Sequence, residues 1–352
     1  MNTKTDATAA PKKPAPKKAA PVRFDEAAFL DTLKGLLADG KKEPALTHLI
    51  NEMPALSASK GVNRKEKLKH LMFAGRLLQS AGLGKYGHKK LWGKAYNLAG
   101  IAKKYGLRSK RTFVDLGCGA HEPLGLSTYM YLNGFDEAYG SDFLPVSDAS
   151  YAALSMYDIL SHMTMFPERY LMEGSDPELF QKRIREFDID ALSQGDWEKG
   201  LGHMAGKVEF KSCDIVDAGI PSNSVSFLIS YAVFEHVMDI EGVTKHIFDI
   251  MEPGGLGFHY IDLADHRAYR HDGEFNEFSF LTEETCAPNL NRLRVSEQMA
   301  AFEAAGFEVL ESTPKRLEVP AATRAAYLPR FAAMSDIDQD SRALRLVIRK
   351  PL

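Results

Sequence analysis

Cysteine is scarce in this sequence, with three residues among 352. Cys118, Cys213 and Cys286 are widely spaced and odd in number, which excludes a CxxC-type zinc site and a complete set of disulfides within the chain. Long apolar runs are also lacking. None reaches the roughly 20 residues that span a bilayer, and the first residues lack the apolar segment of a secretory signal. We therefore expect a cytoplasmic protein without a membrane partner.

The chain also lacks a strong net charge. Its formal charge of -3 at pH 7 gives no overall attraction to nucleic acid, so a nucleic-acid partner is not expected. Basic residues are nevertheless concentrated in residues 1–22, where Lys alternates with Ala and Pro and predicts a disordered basic arm. Such an arm could tether nucleic acid or a membrane, but without aromatic residues it is more typical of a solubilising tail.

Two regions with different patterns follow the arm. Residues 23–108 place apolar side chains at helical spacing and predict an N-terminal helical region, whose last helix, HKKLWGKAYNLAGIAKKYG, should end at Gly106. From residue 109 onward, short strand-like segments alternate with helices, which predicts an α/β fold with a doubly wound, mostly parallel sheet. The connection at about 147–206 is too long for a simple crossover and predicts a helical insertion after the second strand.

The segment VDLGCGAHEPLG, residues 114–125, predicts a ligand-binding loop. Gly117 and Gly119 follow a buried strand and let the backbone approach a ligand closely, while the next helix offers free amides at its N-terminus. A dinucleotide fingerprint would have a small residue at position 122, where this chain has Glu122. The loop is therefore predicted to cradle a cofactor other than NAD or FAD.

Five segments occur in order at the predicted strand ends: VDLGCGAH, AYGSDF, FKSCDI, LISYAVFEHV and IMEPGGLGFHY. Together they resemble the signature of class I S-adenosylmethionine-dependent methyltransferases, and in particular bacterial members of the type 11 and type 12 groups. The resemblance covers residues 109–352, which would form the methyltransferase domain. It implies a Rossmann-like sheet of seven strands with a reversed last strand, and S-adenosyl-L-methionine as the cofactor.

The resemblance also implies contacts to each part of that cofactor. The amino acid end would lie on Asp115, Gly117, Cys118 and Gly119; the ribose on Asp142, beside Phe143; the adenine on Asp214, between Cys213 and Ile215; and the methionine portion on Tyr231 and Ala232. One departure is His121, where the family commonly has a third glycine. Taken singly, an Asp at a strand end is as often a helix cap, and the two cysteines are more typical of small buried side chains than of nucleophiles.

Candidate catalytic residues follow the fourth and fifth strands, where the acceptor is expected. We predict His266 as a general base oriented by Asp265 or Asp262, with His236 nearby. In the alternative interpretation, Glu235 and His236 support the cofactor site only. No ligand spacing of the HxxxH type is present, so no metal is predicted.

Two arginines and one histidine have open interpretations. Arg292 and Arg294 could clamp a phosphate or carboxylate of the acceptor, or pair with the acidic surface. His246, on a predicted helix, is expected to pack or to be solvated.

The sequence as a whole predicts methyl transfer to a small-molecule or glycan-like acceptor, with oxygen as the expected acceptor atom. One alternative is a binding or regulatory protein that keeps the fold without the chemistry. Another is a nucleic-acid methyltransferase, against which stand the acidic body of the chain and the lack of an NPPY-type motif.

Overall fold

The computed structural model describes residues 88–352 except 121, 271–272 and 286–288, together with scattered positions at 25, 28–29, 31–32, 35–36 and 48. The chain divides into two compact units, Met1–Leu83 and Gly84–Leu352. In the first unit, the rings of Phe29 and His48 stack with centroids 5.3 Å apart. The predicted basic arm, most of the predicted helical region, His121, His271 and Cys286 lie outside the described residues.

The second unit is built on a seven-stranded sheet. Its strands are β1 (Thr112–Leu116), β2 (Glu137–Asp142), β3 (Val208–Ser212), β4 (Val225–Tyr231), β5 (Met251–Asp262), β6 (Glu308–Arg316) and β7 (Ser341–Arg349). Their order is β3-β2-β1-β4-β5-β7-β6, and only β7 runs antiparallel to its neighbours β5 and β6. This arrangement confirms the predicted doubly wound sheet with a reversed last strand.

Eleven α-helices accompany the sheet in the described residues from 88 onward. They are α1 (His88–Tyr105), α2 (Gly125–Leu132), α3 (Ala149–Met165), α4 (Pro177–Ile184), α5 (Ile189–Ser193), α6 (Trp197–Leu201), α7 (Ile240–Ile250), α8 (Val295–Ala304), α9 (Ala321–Ala325), α10 (Pro329–Ala332) and α11 (Asp336–Asp340). Helix α1 ends one residue before Gly106, whose φ of +66° suits a glycine and breaks the helix as predicted.

The core of the sheet is made by its central strands. Every residue of β1 is buried, which is typical of a parallel strand covered on both faces. Phe113 of β1 makes edge-to-face contacts with Phe135 and Phe227, at centroid distances of 5.8 and 5.9 Å. Such contacts add to the free energy gained by burying the three rings.

The predicted helical insertion is confirmed by α3 to α6, which lie between β2 and β3. Each of these helices is preceded by an aspartate whose carboxylate accepts a hydrogen bond from a backbone N–H of the first turn: Asp148, Asp176, Asp188 and Asp196. A carboxylate at this position satisfies an unpaired donor and favours the positive end of the helix dipole. Local sequence therefore fixes where each insertion helix begins.

One predicted boundary differs from the structure. The pattern of KHIFDIMEPGG predicts a helix that stops at its glycines, but α7 ends at Ile250 and β5 begins at Met251. The N–H of Gly254, at φ +81°, donates to the carbonyl of Lys350 at 2.8 Å, which ties this segment to the residues after β7. This long-range pairing outweighs the local helical pattern.

Candidate cofactor and acceptor site

The carboxyl ends of the parallel strands gather the predicted site residues at one edge of the sheet. Asp142 ends β2, Tyr231 ends β4 and Asp262 ends β5, while Asp115 lies one residue before the end of β1. Asp214 follows two residues after β3. Because these five strands are consecutive neighbours in the sheet, the predicted residues form one row along the edge.

The glycine loop folds back over the end of β2. The backbone N–H groups of Gly117 and Cys118 donate to the carbonyl of Ser141 at 2.7 and 3.2 Å. The N–H of Gly119 donates to Oδ2 of Asp142 at 3.0 Å. Gly117 and Gly119 have φ of +65° and +89°, a region that L side chains avoid. The loop thus requires both glycines for conformational reasons.

Space around the two glycines differs. A Cβ on Gly117 would lie 2.2 Å from Cγ2 of Val233, whereas a Cβ on Gly119 would meet nothing within 4 Å. Gly119 therefore borders open space beside the Asp142 carboxylate.

Gly140 of β2 is a further site residue, which the sequence analysis missed. A Cβ there would lie 2.1 Å from the carbonyl oxygen of Pro123 and 3.0 Å from Sγ of Cys118. The loop that follows β1 therefore rests directly on the backbone of β2. The signal in the sequence was a lone glycine within a strand, which marks a close backbone approach.

Asp142 and Asp214 keep acceptor capacity. Oδ1 of Asp142 accepts from the N–H of Leu144 at 3.0 Å, and Oδ1 of Asp214 accepts from the N–H of Val216 at 3.2 Å. Since a carboxylate offers about four lone-pair positions, both can accept further hydrogen bonds.

The apolar neighbours of these carboxylates differ in exposure. Phe143 is 76 % exposed and Val216 is 45 % exposed. The side chain of Ile215, which the resemblance places beside the adenine, is buried in the hydrophobic core, and Cys213 packs against the same core. The side chain able to cover a flat ring beside Asp214 is therefore Val216.

Tyr231 is contacted from α1. The ammonium of Lys94 lies 4.1 Å from the centre of the Tyr231 ring, and Nδ2 of Asn97 donates to its hydroxyl at 3.4 Å. Both residues were missed by the sequence analysis, although their spacing of three places them on one helix face. A cation thus already lies over the ring that was predicted to face the sulfonium.

Ala232 has an unusual backbone conformation. Its φ is +56°, and its N–H donates to the carbonyl of Tyr260 at 2.7 Å. Such conformations in non-glycine residues are costly and concentrate at functional sites. The end of β4 is thus strained at the position predicted to border the methionine portion.

Burial shifts the pKa of the Cys118 thiol well above its ordinary value, and the charges of Asp115 and Asp142 raise it further. A thiol with a raised pKa is a poor nucleophile at neutral pH. This agrees with the interpretation of Cys118 as a packing residue.

On the acceptor side, four side chains meet beyond the ends of β4 and β5; we call Glu235, His236, Asp262 and His266 the acceptor cluster. Nε2 of His266 lies 3.9 Å from Oδ2 of Asp262. The rings of His236 and His266 are 5.1 Å apart between centroids. Burial lowers the pKa of His266, an effect that Asp262 opposes, and burial raises the pKa of Glu235 to about 8.

Asp265 does not supply the carboxylate nearest His266. Its carboxylate is buried and accepts two hydrogen bonds from Nε of Arg267, at 3.0 and 3.1 Å, and one from Nη2 at 2.6 Å. Of the two carboxylates proposed from the sequence, Asp262 is therefore the one placed to orient His266.

Arg292 and Arg294 neither face the acceptor site as an anion clamp nor pair with acidic side chains of the surface, because their guanidinium groups bind backbone carbonyls. Arg294 is fully buried, and its guanidinium donates to the carbonyls of Leu263 at 2.7 Å, Asp338 at 2.8 Å and Ser341. Burial lowers its pKa to about 10. Arg292, at φ +58°, donates to the carbonyls of residues 280, 283 and 284. Both arginines hold backbone together.

Residues 88–312 match the profile of a family described as a methyltransferase domain. The chain belongs to this family. The domain is of the class I S-adenosylmethionine-dependent type, as the sheet order and the ordered motifs also indicate. The match begins at the first residue of α1, which the sequence analysis had placed in the preceding helical region.

Relatives match the methyltransferase over part of its length. The sterol 24-C-methyltransferase erg6 of Aspergillus fumigatus is 29% identical over 147 residues, which cover 42% of this chain and 38% of the relative. The sterol 24-C-methyltransferase erg-4 of Neurospora crassa is 24% identical over 145 residues, covering 41% and 37%. The aligned part of the chain thus spans about two fifths of the length of these curated relatives.

Solved structures with a similar chain course include a SAM-dependent methyltransferase from Methanosarcina mazei, with 17% identity, a TM-score of 0.36 and coverage of 72% of this chain and 97% of the other. Geranyl diphosphate C-methyltransferase from Streptomyces coelicolor A3(2) has 13% identity, a TM-score of 0.37 and coverage of 83% and 86%. These TM-scores are too low for a functional comparison.

The cofactor of the methyltransferase is S-adenosylmethionine, and the described residues fit it. The glycine loop leaves open space at Gly119, Asp142 and Asp214 keep acceptors for hydroxyl and amino donors, and Phe143 and Val216 expose apolar surface beside them. Within the described part of the chain, no helix is long and apolar enough to cross a membrane.

Proposed function

We propose that this methyltransferase methylates an oxygen atom of a small-molecule or glycan-like acceptor, whose hydroxyl binds at the acceptor cluster. The observation that carries the proposal is the pairing of His266 with Asp262, whose Nε2 and Oδ2 atoms lie 3.9 Å apart beyond the end of β5. A hydroxyl must lose its proton during methylation, and a histidine oriented by a carboxylate is suited to accept it.

The roles of the cofactor-contacting residues are part of the same proposal. Asp115 and the loop from Gly117 to Gly119 would hold the amino acid end. Asp142 would accept from the ribose hydroxyls, and Asp214 from the adenine amino group beside Val216. Support for these roles comes from the open acceptor capacity of Asp142 and Asp214 and from their row along one sheet edge.

When bound, S-adenosylmethionine supplies a methyl group on a sulfonium, which an acceptor lone pair attacks in line. The protein's own tasks are to align the acceptor oxygen and to receive its proton. Asp262 accepts a hydrogen bond from the hydroxyl of Tyr269 at 2.6 Å, which holds the carboxylate at the end of β5. His266 is thereby kept next to a fixed negative charge.

A carbon acceptor is a second candidate, because both curated relatives are named as sterol 24-C-methyltransferases. We further expect the enzyme in the cytoplasm, since its three widely spaced cysteines suit a reducing compartment. We also propose that the enzyme is related to the bacterial type 11 and type 12 methyltransferases, whose members act on sugars, lipids or secondary metabolites.

The proposal is tested with a methyl-labelled cofactor and a panel of acceptors that carry hydroxyl, amine or alkene groups. We expect labelled products from hydroxyl acceptors, with the methyl located on oxygen by fragmentation. His266→Asn should lower kcat by about 100-fold with little change in cofactor affinity, because a general base contributes roughly 10²–10⁴-fold.

The exposed histidine His203, before β3, provides a matched control, and His203→Asn should leave kcat unchanged. A methyl group found only on carbon or nitrogen would refute oxygen transfer. Parental kcat in His266→Asn would refute the assigned base.

A further inference from the structure

Two histidines and one carboxylate of the acceptor cluster are close enough to share an ion. One ligand atom from each of Glu235, His236 and His266 lies within 4.8 Å of the others. Two ligand atoms bound to one Zn²⁺ at their usual distances and tetrahedral angles are roughly 3.4 Å apart. Side-chain rotations that shorten these distances by up to about 1.4 Å would therefore complete the set.

Glu235 provides an independent sign of a missing ligand. Its side chain is 3 % exposed, and neither carboxylate oxygen has a hydrogen-bond partner of normal geometry among the described residues. A buried carboxyl without partners is costly, and buried charges are normally paired or bound to a metal.

His236 is held in the tautomer that a metal ligand needs. Its Nδ1 lies 2.6 Å from the carbonyl oxygen of Asn289, and since a carbonyl only accepts, Nδ1 carries the proton. The lone pair of a neutral His236 is therefore on Nε2. Histidines that bind metals almost always donate their other N–H in this way, often to a backbone carbonyl.

Asn291 fixes the backbone that carries two of the three side chains. Its Nδ2 donates to the carbonyls of Phe234 and Val237 at 2.6 and 2.8 Å, and its N–H donates to the carbonyl of Glu235 at 2.9 Å. The third side chain, His266, begins the turn after β5, and its Nε2 has no hydrogen-bond partner in the described part of the chain.

We propose that Glu235, His236 and His266 form a binding site for one divalent transition metal ion, such as Zn²⁺, at the acceptor end of the methyltransferase site. Two imidazoles and one carboxylate are a ligand set that transition metals prefer, and they leave coordination positions open. An acceptor hydroxyl can occupy such a position, where the metal lowers the pKa of the hydroxyl.

This inference deepens the proposed function and rests on it for the identity of the acceptor, but metal binding itself is measured without any acceptor. The two differ in the role of His266, which accepts the proton in the metal-free enzyme and is a ligand in the metal-bound one. Asp262, whose Oδ2 lies 3.9 Å from Nε2 of His266, would then lie next to the ion and could accept the proton that a metal-bound hydroxyl loses.

The test is a titration of the full-length, EDTA-treated protein with Co²⁺ and with Zn²⁺. We expect one Co²⁺ per chain with visible d–d absorption bands, displaced by Zn²⁺ in calorimetry. We expect metal binding to weaken by about 100-fold or more in each of the three ligand variants, Glu235→Gln, His236→Ala and His266→Ala. Asn291→Ala should weaken it by about 10-fold, because the turn that carries Glu235 and His236 would move.

Glu235→Gln preserves the side-chain shape, so its loss of binding is not explained by misfolding; circular dichroism verifies the fold of every variant. His203→Ala, an exposed histidine, is the control and should bind Co²⁺ like the parent. The proposal fails if the parent binds no Co²⁺ or Zn²⁺ at one per chain, or if the three variants bind it equally well.

A parent protein that binds neither Co²⁺ nor Zn²⁺, but whose oxygen methylation is lost in His266→Asn, would overturn the metal site and leave the proposed function intact. Stoichiometric metal binding without any oxygen methylation would overturn the proposed oxygen transfer and leave the metal site intact.

Discussion

At the scale of single residues, Arg294 is the largest fully buried side chain among the described residues. Its guanidinium donates to backbone carbonyls, which belong to residues 263, 338 and 341. These carbonyls lie at the end of β5, in α11 and at the start of β7. One guanidinium thus joins the end of β5 to the junction of α11 and β7, which is far away in sequence, and the cost of burying its charge is offset by its hydrogen bonds.

Replacement of this arginine should destabilise the fold strongly. Arg294→Met leaves three buried carbonyls without donors, and we expect the free energy of unfolding to fall by about 3 kcal/mol or more. Denaturant unfolding measures the change. Arg270→Met, at an exposed position, should change stability by less than about 0.5 kcal/mol, and a similar small effect at Arg294 would contradict the bridging role.

The hydrogen-bond partners of Arg294 and Asp265 are features of single residues that could not be predicted from the sequence. Both were named as candidate functional residues, but their partners depend on contacts formed only after folding. Arg294 requires a carbonyl 47 residues away, and Asp265 is bound by the neighbouring Arg267 rather than left to His266. Spacing in the sequence gives no measure of burial at such positions.

At the scale of elements, the decisive contact is that between the glycine loop and β2. Gly140 has no side chain where the carbonyl of Pro123 approaches, so strand and loop touch backbone to backbone. The alternation of strands and helices predicted β1, β2 and their loop. It did not predict this contact, because a glycine in a strand can equally mark a bulge.

Gly140→Ala should therefore displace the loop. The added Cβ would overlap a backbone atom that cannot rotate away, and we expect a loss of about 1–3 kcal/mol in unfolding free energy with at least 10-fold weaker cofactor binding. Calorimetry with S-adenosylmethionine and thermal unfolding measure the two effects.

Gly93→Ala is the matched control for this substitution. Gly93 lies in α1 with open space around its Cβ position, so the same change should leave cofactor affinity unaltered and stabilise the helix by up to about 1 kcal/mol. Equal cofactor affinity in both variants would show that the loop does not depend on Gly140.

At the scale of the whole molecule, stability should depend on pH through His259. This residue of β5 is fully buried, with Nδ1 2.8 Å from the hydroxyl of Ser230 and its ring stacked on Phe302. Burial lowers its pKa from 6.5 to about 3. Between these values the unfolded chain binds a proton that the folded chain does not, so stability falls as pH falls.

His259→Asn tests this relation. The substitution should flatten the dependence of unfolding free energy on pH by roughly 1.4 kcal/mol per pH unit between pH 6 and pH 4, the slope expected for one proton. Urea unfolding at several pH values measures it, with His203→Asn as a control whose slope should equal that of the parent. An unchanged slope in His259→Asn would mean that other groups cause the acid sensitivity.

The architecture as a whole was largely readable from the sequence, since the alternation of strands and helices predicted a doubly wound sheet and the resemblance to class I methyltransferases implied seven strands with a reversed last one. The acceptor cluster was readable in part. Glu235 and His236 follow β4 and His266 follows β5, and neighbouring parallel strands bring such residues together. The orphaned carboxylate of Glu235 was not readable, because hydrogen-bond satisfaction is a property of the folded chain.

Helix α1 has a practical consequence for dissecting the enzyme. Lys94 and Asn97 reach Tyr231, Lys104 and Tyr105 bind the carboxylate of Glu311, and Arg349 donates to the carbonyl of Tyr105. A fragment cut at residue 109, where the strand pattern begins, would keep all seven strands and yet have lost the helix that contacts Tyr231, Glu311 and Arg349. Trimming for crystallisation should therefore stop short of residue 88.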